Sequence, residues 1–107
     1  MKVLLVCAGG CSTGFLLKRL AAYADEHGIE LEIKAVGLGG YQRICHEYEC
    51  ILVGPQVGYF KDDVVKATGG MPVEVMAPED YGIGNCEHLL QQMIRLTGCD
   101  EQGRHTA

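Results

Sequence analysis

The segment Lys2-Val3-Leu4-Leu5-Val6-Cys7-Ala8-Gly9-Gly10-Cys11-Ser12-Thr13-Gly14 decides the fold. Residues 2–7 form a near-continuous apolar run, the pattern of a strand buried on both faces. Small residues and glycines follow and lead straight into a helical pattern over 14–27. There Leu16, Leu20 and Tyr23 form one stripe beside Leu17, Ala21 and Ala24, and Gly28 stops the helix. Strand, glycine loop and helix in that order begin a βαβ unit.

The same alternation continues along the chain. Residues 30–36 alternate strictly, with Glu30, Glu32 and Lys34 facing one way and Leu31, Ile33 and Ala35 the other. A strand with one wet face belongs at a sheet edge. Tyr41, Ile44, Cys45 and Tyr48 predict a short second helix over 40–48. Residues 50–54 are a second buried strand, ended by Gly54-Pro55. A third helix is expected over 59–68 with Phe60, Val64 and Ala67 inward, and a fourth strand over 72–76. Asn85 suits the N-cap of a last helix whose stripe is Leu89, Leu90, Met93, Ile94 and Thr97. Residues 1–97 then form one domain and 98–107 a flexible tail. The order βαβαβαβα predicts an α/β fold: one three-layer domain, a parallel sheet with helices on both faces. Ligands of such sheets sit beyond the carboxyl ends of the strands. That edge holds the loops 7–14, 37–40, 54–58 and 77–85.

Composition narrows the function. The chain has 107 residues, with 9 Lys plus Arg against 14 Asp plus Glu, a net charge of −5. That balance argues against nucleic acid or an anionic membrane as the main partner. No apolar run approaches the roughly 20 residues that span a bilayer, so no membrane insertion is expected. Six cysteines are tempting as a disulfide scaffold. The start is too short for a secretion signal, so a reduced, cytoplasmic protein is expected instead. No C-x-x-C pair and no zinc-type spacing occurs, and neither a metal nor a cofactor is predicted. Glycine, at 15 residues, is about twice its average usage.

Loop 7–14 carries the chemistry. Glycines let successive backbone N–H groups converge on one point at a helix N-terminus, an anion nest to which the Ser12 and Thr13 hydroxyls add donors. A thiolate at the strand end would sit among those dipoles, so Cys7 reads as a nucleophile in a phosphate cradle formed by Ala8, Gly9, Gly10, Cys11, Ser12, Thr13 and Gly14. The plainer reading is a buried strand cysteine followed by a tight turn. Other phosphate loops fail on their required residues. A Walker loop needs Lys after its last glycine, and Phe15 follows Gly14. Gly37-Leu38-Gly39-Gly40 would want Gly or Ala at position 42 for a dinucleotide, and Gln42 stands there. Tyrosine-phosphatase loops carry Cys-x5-Arg, whose Arg grips the phosphoryl oxygens, and that position is Thr13. The first basic side chains, Lys18 and Arg19, lie a turn or more into the helix. Phosphate is then held by backbone dipoles and hydroxyls alone, which suits a carrier better than a hydrolase.

Val6-Cys7-Ala8-Gly9-Gly10-Cys11-Ser12-Thr13 resembles the phosphocysteine loop of the enzyme IIB subunit of bacterial sugar phosphotransferase systems, of the lactose/cellobiose/chitobiose class. The similarity continues through Gly54-Pro55-Gln56-Val57 and Asp80-Tyr81-Gly82, and spans residues 1 to about 97. The resemblance implies a four-stranded parallel sheet of order 2-1-3-4, flavodoxin-like or low-molecular-weight-phosphatase-like. It implies that Cys7 accepts phosphate from a phosphohistidine on a IIA partner and passes it to a sugar held by the membrane IIC subunit. A phosphatase- or arsenate-reductase-like enzyme on the same fold, or a non-catalytic regulatory domain derived from it, are the alternatives. The chain departs from the family's pattern at Cys11, usually Met; at Gly58, often a basic residue; and at Cys86, where Gly is expected after Asn85. Cys11 either pairs with Cys7 under oxidation or simply fills the space of Met. Asp80 is either a general acid, as in the phosphatase relatives, or a turn former ahead of Tyr81-Gly82. Gln56 either orients loop 7–14 or is solvated. His27, His46, His88 and His105 read as solvated histidines.

Overall fold

The computed structural model describes residues 1–7, 12–83 and 85–104. Strands β1 (Lys2–Cys7), β2 (Glu32–Gly37), β3 (Cys50–Val53) and β4 (Val73–Val75) form one parallel sheet of order β2-β1-β3-β4. Helices α1 (Ser12–Glu26), α2 (Tyr41–Ile44), α3 (Lys61–Ala67), α4 (Pro78–Ile83) and α5 (Cys86–Thr97) connect and cover it. Two 3-10 segments, Cys45–Glu47 and Pro55–Phe60, precede β3 and α3.

β1 is central, and Val3, Leu4, Leu5 and Val6 are wholly buried. Its pleat sends Val3 and Leu5 into a core with Leu16 and Leu20 of α1 and Leu89 and Met93 of α5. Leu4 and Val6 go to the other face, onto Tyr41, Val57 and Val64. Each such side chain contributes about 1.5–3 kcal/mol by leaving water, so both helix layers are anchored on this one strand. β2 is an edge strand as its alternation predicts, with Glu32 and Lys34 exposed. Asn85 caps α5, its Oδ1 accepting from the His88 N–H at 3.3 Å, and Gly98 closes that helix at φ +70°.

Three expectations need correction. The stretch 77–85 contains α4, which Pro78 opens with Glu79 and Asp80 in its first turn, a favourable arrangement at a helix amino end. The predicted helix 59–68 divides into the 3-10 segment and α3; Val64 is buried, Phe60 half-buried and Ala67 exposed. The third concerns the tail. Residues 98–104 are folded back rather than trailing: the Asp100 carboxylate accepts from the Gln102 and Arg104 amides, and the Glu30 N–H donates to the Gln102 carbonyl at 2.7 Å. Gly103 makes this approach feasible. Its φ is +74°, and a Cβ there would lie 2.5 Å from the Glu30 carbonyl oxygen.

Gly103→Ala should therefore cost about 1 kcal/mol or more in denaturant unfolding, with faster amide exchange at Glu30; unchanged exchange there would contradict the docked tail. Burial, followed by the negative charges of Glu49, Cys99 and Glu74, pushes the Cys50 thiol from an ordinary 9.0 up to about 12. The folded state keeps this proton where the unfolded chain has lost it, so the contribution is full below pH 9 and is lost as pH rises toward about 12. Cys50→Val should flatten the decline in stability across that window, measured by urea titration at stepped pH.

Candidate functional site

Cys7 ends β1, buried, with its thiol 3.7 Å from the Val36 carbonyl oxygen to which it donates. The residue in register with it on β2 is Gly37. On the other side the β1–β3 register runs to Val6 opposite Val53, so Gly54 falls beside Cys7, and the Gly54 N–H donates to the Val6 carbonyl at 2.8 Å. A Cβ on Gly54 would stand 3.5 Å from that of Cys7, and one on Gly37 would be 3.9 Å from the Cys7 carbonyl oxygen. The cysteine is thus flanked on both neighbouring strands by residues without a side chain. By the pleat it shares the α1 side with Val3 and Leu5.

Ala8, Gly9, Gly10 and Cys11 lie outside the described residues. Ser12 and Thr13 are the first residues of α1, and Gly14, exposed, is the third. α1 is 15 residues long with no acid in its first turn, so the positive end of its dipole faces this edge uncompensated. Gln56 is exposed, and its Oε1 lies 3.2 Å from where a Cβ on Gly54 would be, which sets its amide over the glycine next to Cys7.

Asp80 and Tyr81 sit on α4. The Asp80 Oδ1 is 3.2 Å from His88 Nδ1, with the carboxylate 13% and the imidazole 61% exposed. Tyr81 is half-buried against the α1/α5 core. Asp80 and His88 line a groove of about 490 Å³ with Val75, Gln92 and Arg95, beside the outer edge of β4. Arg95 and Gln92 both hold Glu74 there, each at 2.7 Å. Cys7 does not line this groove; β1 is two strands away, roughly 10 Å at ordinary strand spacing. No group of three or more His, Cys, Asp or Glu among the described residues could hold a metal ion, and no described helix is long and apolar enough to cross a membrane. The five described cysteines, Cys7, Cys45, Cys50, Cys86 and Cys99, are buried and unbridged.

The family described as "PTS system, Lactose/Cellobiose specific IIB subunit" matches residues 2–92. The chain belongs to this family. A similar IIB protein, the oligo-beta-mannoside-specific EIIB component of Bacillus subtilis, is 31% identical over 97 residues, covering 89% of this chain and 94% of that one. The solution structure of a cellobiose-specific IIB component from Borrelia burgdorferi superposes with a TM-score of 0.78 at 31% identity, covering 92% of each chain. The lactose-specific EIICB component of Staphylococcus aureus is 32% identical over 73 residues, which are 68% of this chain and 13% of that larger protein. The IIB fold thus agrees with the order 2-1-3-4 expected from the resemblance.

In this IIB subunit the loop motif was legible as sequence, but the glycine pair around Cys7 was not. Gly37 and Gly54 become its neighbours only through strand register, which needs the sheet order. His88 read as solvated and is 61% exposed; its pairing with Asp80 of α4 comes from the packing of two helices and had no local signal. Gly54 has ordinary extended backbone (φ −61°, ψ 146°), and a Cβ there would meet first the exposed, movable Gln56 side chain, so Gly54→Ala should fold normally. It should slow alkylation of Cys7 by iodoacetamide roughly tenfold by filling the space beside the thiol. Peptide mass spectrometry measures that rate, and an unaltered one would show that the glycine does not shape access.

Proposed function

We propose that this IIB subunit is a phosphoryl carrier, with Cys7 as the acceptor. The Cys7 thiolate attacks the phosphorus of a phosphohistidine on a IIA protein; the S–P bond forms, the N–P bond breaks, and the imidazole leaves and takes up a proton. A sugar hydroxyl held by the membrane IIC subunit then attacks the same phosphorus, losing its proton as the S–P bond breaks and the thiolate returns. Phosphoryl transfer through a loose, in-line transition state asks for positioning and charge stabilisation more than covalent help. The residues from Ala8 to Gly14 would supply this with backbone N–H groups, the Ser12 and Thr13 hydroxyls and the amino end of α1. Gln56 would steady the entrance over Gly54.

One observation carries the reading: Cys7 ends the central strand between two glycines, ahead of an uncompensated helix amino end. Thr13 where a phosphatase has Arg supports a carrier over a hydrolase. Asp80 supports it too, since its carboxylate is engaged by His88 and lines a groove that Cys7 does not share. Operation in the cytoplasm and the IIA and IIC partners belong to the same proposal.

Incubation with phosphoenolpyruvate, the general phosphotransferase proteins and a lactose/cellobiose-type IIA should add one phosphoryl group to the intact mass. Cys7→Ser should add none, whereas Asp80→Asn should accept phosphate normally. Turnover of p-nitrophenyl phosphate without a stable adduct would replace the carrier with a phosphatase.

A further inference from the structure

Resting on the carrier reading, we infer that Phe15 and Tyr59 form a two-sided aromatic collar around Cys7 that docks the phosphorylated donor protein. Among the described residues these are the two large hydrophobics left exposed, at 67% and 77%. Both belong to the elements that flank Cys7. Phe15 lies in the first turn of α1, on the sheet face that takes Val3 and Leu5. Tyr59 lies in the 3-10 segment that begins after Gly54, on the face that takes Leu4 and Val6. The other described large apolar side chains are buried or partly buried, so these two rings stand apart.

Local packing holds each ring outward. The Arg19 guanidinium stands over Phe15 at 5.9 Å from the ring centroid. Tyr59 leans on Phe60, with centroids 4.8 Å apart. Gly58 bears on how Tyr59 is presented: a Cβ at 58 would meet Val75 Cγ1 at 3.2 Å, so glycine lets the segment lie close on β4 without displacing that side chain. Where relatives often place a cation, this chain presents the next residue, an aromatic ring.

Charge selects the occupant. From Ser12 to Ala24, α1 carries Lys18 and Arg19 and no acid, in a chain of net charge −5; the acidic pair Asp62–Asp63 begins only with α3, past the second ring. A donor arriving with a phosphoryl group of about −1.5 to −2 charge is attracted to that flank. Once the group has moved to Cys7 the attraction falls and the spent donor leaves. The partner surface that fits is an apolar patch around the phosphohistidine with an acidic rim.

The test is the KM for phosphorylated IIA in Cys7 phosphorylation, by mass spectrometry under steady state. Phe15→Ala with Tyr59→Ala should raise it on the order of tenfold or more, with the maximal rate, the one-phosphoryl stoichiometry and the melting temperature retained. The conservative pair Phe15→Tyr with Tyr59→Phe should restore it, and Arg19→Glu should raise it while removing its increase with salt. An unchanged KM in the alanine pair, beside normal wild-type phosphorylation, overturns the collar alone. A defect confined to sugar phosphorylation, or a wild-type dimer that the alanine pair dissociates, overturns the assignment to the donor. A wild-type chain that no such IIA phosphorylates overturns the carrier reading and the collar together.

Discussion

Burial of β1 on both faces is the constraint on which this molecule depends. Four consecutive residues, Val3 to Val6, are wholly buried because one helix layer packs on each side of the sheet. A strand so enclosed has only its ends open to chemistry. At the carboxyl end Cys7 is the last strand residue, and α1 begins five residues on, at Ser12. Parallel pairing adds the rest, since it brings the carboxyl ends of β2 and β3 to the same edge with Gly37 and Gly54 beside the cysteine.

The parts of this arrangement set by local chemistry were readable in the sequence. The apolar run of β1, the alternation of β2, the Asn85 cap and the Gly98 stop each act over a few residues, and each appears where its pattern puts it. What depends on distant neighbours was not readable. Residues 98–104 are polar enough to trail, yet they dock because Gly103 reaches the Glu30 carbonyl, a contact between segments some seventy residues apart. The 77–85 stretch looked like a loop because its turn-forming residues also start helices: Pro78 fixes φ for the first turn of α4. Ala67 fell on the expected stripe, but α3 ends there and leaves it exposed.

The site shows the same division. Its proposed nucleophile and loop stand together in the chain, so residue type and spacing were sufficient to propose them. Its surroundings come from register and from long-range pairing, as with Asp80, whose significance turns on His88. Under the proposed function these surroundings decide between reaction classes on one fold. A hydrolase needs a cation to clamp the phosphoryl oxygens and a carboxylate to move protons beside the cysteine. Here position 13 is Thr, and the Asp80 carboxylate faces His88 in a groove that Cys7 does not line. Phosphate bound only by dipoles can enter and leave with its partners, which a relay demands.

That claim is tested most directly by the fate of the phosphorylated chain once the donor is gone. The phosphoprotein is separated from IIA and followed by phosphorus NMR at neutral pH. The account predicts a single S-phosphocysteine resonance that persists while inorganic phosphate stays flat, and that disappears when a IIC subunit and its sugar are added. Steady conversion to inorganic phosphate without an acceptor, or a resonance belonging to phosphohistidine, would contradict it.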